Sequence, residues 1–128
     1  MKNEEKYITE EHQDHVKWTK DLEFYTEDLA FLRKQLEEVS SKNTATEVKQ
    51  EVEKYQNQFI IQKNEIDILN HAINAEEELL VENVVDNPVA VDHRKVEDNV
   101  SLRDRVETFA KLFKEMKEEF NTFLAKNF

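Results

Sequence analysis

Apolar residues recur along the first third of the chain at alternating intervals of three and four. Ile8, His15, Trp18, Leu22, Tyr25, Leu29, Leu32, Leu36 and Val39 fall on one seam, with Glu11 at the intervening position. That spacing keeps one stripe of a helix facing its neighbours and predicts helix A over residues 9–41. Thr9, followed by Glu10 and Glu11, offers a capping hydroxyl and negative charge at the positive end of the dipole. A second seam runs through Val48, Val52, Tyr55, Phe59, Gln62, Ile66, Leu69, Ile73, Glu76 and Leu80. It predicts helix B over 44–83, entered through the T-x-x-E pattern of Thr44 and Glu47, which has the form of a capping box. The polar break at 40–43 is short, so A and B should form a tight antiparallel hairpin.

Helix B carries a second apolar stripe, Ile61, Ile68, Ala72, Ala75 and Leu79, beside the first. A helix with two apolar faces lies between two neighbours. The second neighbour is predicted to be helix C, over 99–126 with a start at Asp98 or Ser101, where Leu102, Val106, Phe109, Phe113, Met116, Phe120 and Phe123 keep the same alternation. Between B and C, residues 84–98 form a valine-rich connection expected to cap the bundle end. Pro88 biases Asn87 away from helix, and 92–97 has the composition for a short extra helix. The fold expected is an all-α, antiparallel bundle of three long amphipathic helices in one domain, coiled-coil-like and up-down-up in the manner of a spectrin repeat.

Composition narrows the function classes. Glycine is absent and there is one proline, which leaves little for tight hairpins or phosphate-cradling loops. Cysteine is absent, so there is no disulfide framework, thiolate metal site or cysteine nucleophile. No apolar run approaches the roughly 20 residues that span a bilayer, and residues 1–15 lack the apolar stretch of a secretory signal. A cytoplasmic protein is the expectation. Net charge is −11, a field that disfavours binding to nucleic acid and to anionic membrane. The charge is uneven: residues 1–40 hold six basic against eleven acidic groups, 41–84 four against nine, and 85–128 eight against nine.

Pairing the helices by register gathers the polar seam positions at one end of the bundle. Glu11, His15, Glu76 and Arg105 meet there, with His12 on the flank. His12 and His15 share one side of helix A, and with Glu11 and Glu76 they are the candidate ligands for a divalent metal. The structural alternative is a solvated end in which Glu76 pairs with Arg105 or Arg103, since a polar residue in a seam commonly fixes register. No histidine has glutamate three residues before it, as di-iron carboxylate bundles require, and H-x-x-x-E occurs once, at His93 and Glu97. His71 falls at an outward position. Tyr25 opposite Gln62 predicts a hydrogen-bonded core layer. No nucleophile elbow, P-loop or dinucleotide fingerprint is present, so no catalytic residue and no cofactor are assigned, and an enzyme is not expected.

Phe24 and Phe31 stand seven apart on helix A, outside its seam, where a solvated helix would carry charge. Either helix C covers them or another molecule does. The reading that follows is a non-enzymatic bundle acting through protein–protein interaction or self-association, including a homodimer that buries this face. The alternative is a metal- or small-ligand-binding bundle using the histidine end. The segments HQDHVKWTKDLEFY, YQNQFIIQKNEIDIL and DNPVAVDH, taken in order, resemble a group of short uncharacterised helical bacterial proteins. That resemblance implies a shared fold and carries no function.

Overall fold

The computed structural model describes residues 5–91 and 94–128 of the chain. It is an all-α bundle in which α1 (Ile8–Lys42), α2 (Thr46–Asp86) and α3 (Val100–Asn127) pack against one another. Seam residues from all three helices form one continuous core, with Leu22, Phe59, Ile66, Leu69 and Phe120 fully enclosed. The up-down-up order is visible at the α1–α2 turn. The Asn43 amide donates both to the Val39 carbonyl (2.9 Å) and to the Asn127 carbonyl (3.0 Å), closing the C-terminal ends of α1 and α3 together.

The helix ends differ from those read off the sequence, and tertiary partners supply the reason. Thr9 does not cap α1, which starts one residue earlier after Tyr7, with no side-chain cap. Its first amide, that of Ile8, donates to the Arg94 carbonyl at 3.0 Å, so a distant backbone group takes the capping role. The capping box at Thr44 and Glu47 does not form either: α2 begins at Thr46 with Ala45 at the cap position and no side-chain cap. For α3 the cap is Asn99, whose side-chain oxygen accepts from the Leu102 amide at 2.9 Å, because Asp98 is engaged elsewhere.

The connection between α2 and α3 holds the largest departure. α2 continues to Asp86, and Lys95–Glu97 is a strand (β2), not part of a short helix over 92–97. It pairs antiparallel with β1 (Glu5–Tyr7), Lys6 opposite Val96. Asp92 and His93, and with His93 the H-x-x-x-E pattern, lie outside the described residues. The valines do not bury as expected, since Val85 and Val89 stay exposed. Arg94 anchors the connection instead. Its guanidinium donates to the Asn83 carbonyl (3.0 Å), the Asn83 side-chain oxygen (2.6 Å) and the Asn87 carbonyl, placing a cation on the negative end of α2. In a chain without glycine the turn places Ala90 in the left-handed region, at φ 53°.

Two predicted packing arrangements are corrected. Tyr25 and Gln62 do not form a hydrogen-bonded layer: the Tyr25 ring lies against Phe109 and Phe113, with centroids 5.3 and 4.8 Å away, and Gln62 turns into a cleft between α2 and α3. The second stripe of α2 is largely uncovered, Ala72 alone of it packing against the core. Ile61, Ile68 and Leu79 are exposed. α3 runs alongside α2 without closing on this stripe: a cleft lined by Ile61 and Leu79 on one side and by Asp104 and Leu112 on the other separates the two helices.

Candidate functional site

The β1–β2 ribbon brings Lys6 over the start of α1, and a cluster of ionised groups assembles beneath it. The Lys6 ammonium lies 3.0 Å from Glu11 Oε2 and 3.0 Å from Asp98 Oδ1, and also donates to Asp14. Glu11 and Asp98 are buried. Asp98 accepts in addition from the Arg103 guanidinium, and Lys6 stands 5.9 Å above the Trp18 ring. Burial opposes the charge on Lys6, but the carboxylates of Asp14, Glu11 and Asp98 outweigh it and hold its pKa above the ordinary lysine value. Glu11 and Asp98 are likewise penalised by burial, yet both are held below their ordinary values, Glu11 by hydrogen bonds to His15 and Lys6, Asp98 by Lys6 and Arg103.

His15 extends the cluster toward α2. Its Nε2–H donates to Glu11 Oε1 at 3.0 Å and its Nδ1–H to Glu77 Oε2 at 2.5 Å, while the exposed His12 reaches Glu77 Oε1. A ring that donates from both nitrogens is an imidazolium. Desolvation alone would lower its pKa, but the Glu11 and Glu77 hydrogen bonds prevail and raise it above the ordinary 6.5.

Of the predicted site residues, His12, His15 and Glu11 are thus brought together, and Glu76 is not among them. One residue is 100° of helix rotation, so Glu77 faces α1 and Glu76 faces the α2–α3 cleft. Glu76 pairs with neither Arg105 nor Arg103: Arg105 lines the same cleft without an ion pair among the described residues, and Arg103 is taken by Asp98. His71 is solvated, as its outward position predicts. Lys6, Asp14 and Glu77 were not singled out by the sequence pattern, Asp98 was read only as a start of helix C, and Arg103 only as a partner for Glu76. The signal available for Glu77 was the run Glu76-Glu77-Glu78 opposite H-x-x-H, and Lys6 gave none, standing in a short segment without periodicity.

No family model, curated protein or solved structure matches the chain.

Chemically the cluster is a closed set of ion pairs. Lys6 occupies the position between Glu11, Asp14 and Asp98, and His15 in its doubly donating state has no lone pair to give a metal or to accept a proton. Among the described residues no group of three or more His, Asp or Glu side chains is arranged to hold a metal ion.

The titration directions set a pH window for stability. His15, raised in the folded state, contributes fully below about pH 6.5 and loses that contribution as pH rises through its elevated value. Glu11 and Asp98, lowered, contribute fully above their ordinary values and lose it as pH falls through the depressed ones. Thermal denaturation followed from pH 4 to 9 should therefore be highest in the mildly acidic range and decline on the alkaline side. The decline should be weaker in His15→Gln; an unchanged alkaline limb would refute the imidazolium assignment.

Phe24 and Phe31 lie far from this cluster. Both are uncovered, 62% and 57% exposed, so α3 does not account for them. No described helix is long and apolar enough to cross a membrane.

Proposed function

We propose that the protein is a non-catalytic helical-bundle interaction module that self-associates through the Phe24/Phe31 stripe of α1. The observation that carries this is the pair of aromatic rings left in water on a helix whose seam is otherwise fully used. A second copy is a fitting occupant. Laying two α1 helices antiparallel about a two-fold axis between these rings sets Phe24 of each copy against Phe31 of the other. It also brings Lys17 opposite Glu38 and Asp21 opposite Lys34, so the flanking charges are complementary. The acidic pair at the centre, Glu27 and Asp28, is relieved by Lys117, which holds Asp28 at 2.8 Å.

Magnitudes make this a weak contact. Four rings would remove on the order of 500 Å² from water, about 12 kcal/mol before an association cost of similar size. Sedimentation velocity at submillimolar concentration should therefore show a concentration-dependent dimer. Phe24→Glu with Phe31→Glu should give a monomer of unchanged helicity by circular dichroism. A wild-type protein that stays monomeric, or association that survives the double substitution, would remove this reading.

A further inference from the structure

The uncovered stripe of α2 borders a cleft between α2 and α3. The ribbon and the Lys6–Asp98–Arg103 bridges hold the first turns of α3 beside the start of α1. α2 and α3 are thereby left apart along this end, enclosing a cleft of about 1060 Å³. Ile61 and Leu79 of α2 and Leu112 of α3 lie along it and are exposed, Ile61 at 61% and Leu79 at 58%. Ile68, on the same stripe of α2, is exposed as well. The lining runs from Ile61 to Asn83, roughly 33 Å of helix, which suits an elongated occupant better than a compact ligand.

Charge selects the occupant. Glu65, Glu76 and Asp104 line the cleft, and among the described residues none has a cationic partner; of the described lining residues Arg105 is the one lysine or arginine, and the His15 ring is engaged by Glu11 and Glu77. In a chain of net charge −11, these carboxylates favour a cationic occupant of the cleft over an acidic one. We infer that the α2–α3 cleft is a docking groove for a basic amphipathic helix of a partner protein. The apolar face of that helix covers Ile61, Ile68, Leu79 and Leu112 as a fourth member of the bundle, and its lysine or arginine flanks meet Glu65, Glu76 and Asp104. This surface is separate from the α1 stripe, and the two readings fail separately: peptide titration reports on the cleft and sedimentation of the Phe24/Phe31 variant on the stripe.

The test uses the full chain and a fluorescent synthetic peptide of about 18 residues, long enough for a helix to form on binding, with leucines at i, i+3 and i+4 spacing and lysines on the flanks. Anisotropy titration should give micromolar binding. A scrambled peptide of the same composition, and one with glutamate in place of lysine, should each bind at least tenfold more weakly. Leu79→Glu with Ile61→Glu, both at exposed positions and checked by circular dichroism, should weaken binding at least tenfold. Glu65→Lys with Glu76→Lys should do the same and flatten the salt dependence. The inference is overturned if the ordered peptide does not bind, if the scrambled peptide binds equally well, or if Leu79→Glu with Ile61→Glu has no effect. It is overturned as well if the protein alone forms a dimer that the same pair of substitutions abolishes, since a second copy then fills the cleft.

Discussion

Lys6→Met is expected to lower the melting temperature by about 10 °C at neutral pH, a loss on the order of 3 kcal/mol for a domain of this size. The substitution keeps most of the apolar stem and removes the charge shared by Glu11, Asp14 and Asp98. Two of those carboxylates are buried, and a buried charge stripped of its partner costs several kcal/mol. The cover here is one strand thick, which lets water reach the cluster and keeps the cost at the lower end. The loss should shrink at acid pH, where the carboxylates take up protons. It should also shrink in the double variant Lys6→Met, Glu11→Gln, which removes a charge from each side of the pair. A single variant as stable as the wild type would mean that Lys6 is a surface residue and that the ribbon does not cover the cluster.

At the opposite end of the bundle, Phe120→Ala should cost about 4 kcal/mol and lower the melting temperature by roughly 15 °C. The Phe120 ring is wholly enclosed, with Phe59 and Tyr55 both 5.1 Å away by ring centroids and Phe123 at 6.0 Å. Deleting it removes the transfer free energy of a buried benzyl group, leaves a cavity between α2 and α3, and breaks three aromatic pairs at once. Phe120→Leu should recover about half of the loss because the remaining volume is smaller. Chemical denaturation with an unchanged slope and a lowered midpoint is the expected signature; a change under 1 kcal/mol would show that this layer is not the core.

The seams of all three helices were legible in the 3-4 spacing, because a period of 3.5 over many turns leaves a helix little choice of face. Register was legible only coarsely, enough to bring His15 toward the Ile73/Glu76 level and not enough to choose Glu77 over Glu76 or to place Tyr25 against Phe109 and Phe113. Caps were misread where the structure satisfies the orphan amides at long range: the Ile8 amide finds the Arg94 carbonyl, a partner that no local motif announces. The Ile61/Ile68/Leu79 stripe was correctly seen as a second apolar face. Its covering by α3 failed because the start of α3 is drawn to α1 by Lys6, Asp98 and Arg103. Lys6 and the ribbon were illegible because three-residue strands are too short to show a period.

The ribbon also bears on how the molecule comes to its native state. The α1–α2 hairpin closes through a turn of three residues, whereas pairing Glu5 with Glu97 closes a loop of roughly 90 residues, an entropic cost of about 4 kcal/mol. Six strand residues cannot meet that cost before the helices between them are in place. The clasp is therefore the last step of assembly and the first to let go. A shut clasp would keep α3 from trading places with the α3 of a neighbouring molecule, so exchange of that helix would have to wait for an opening at Lys6.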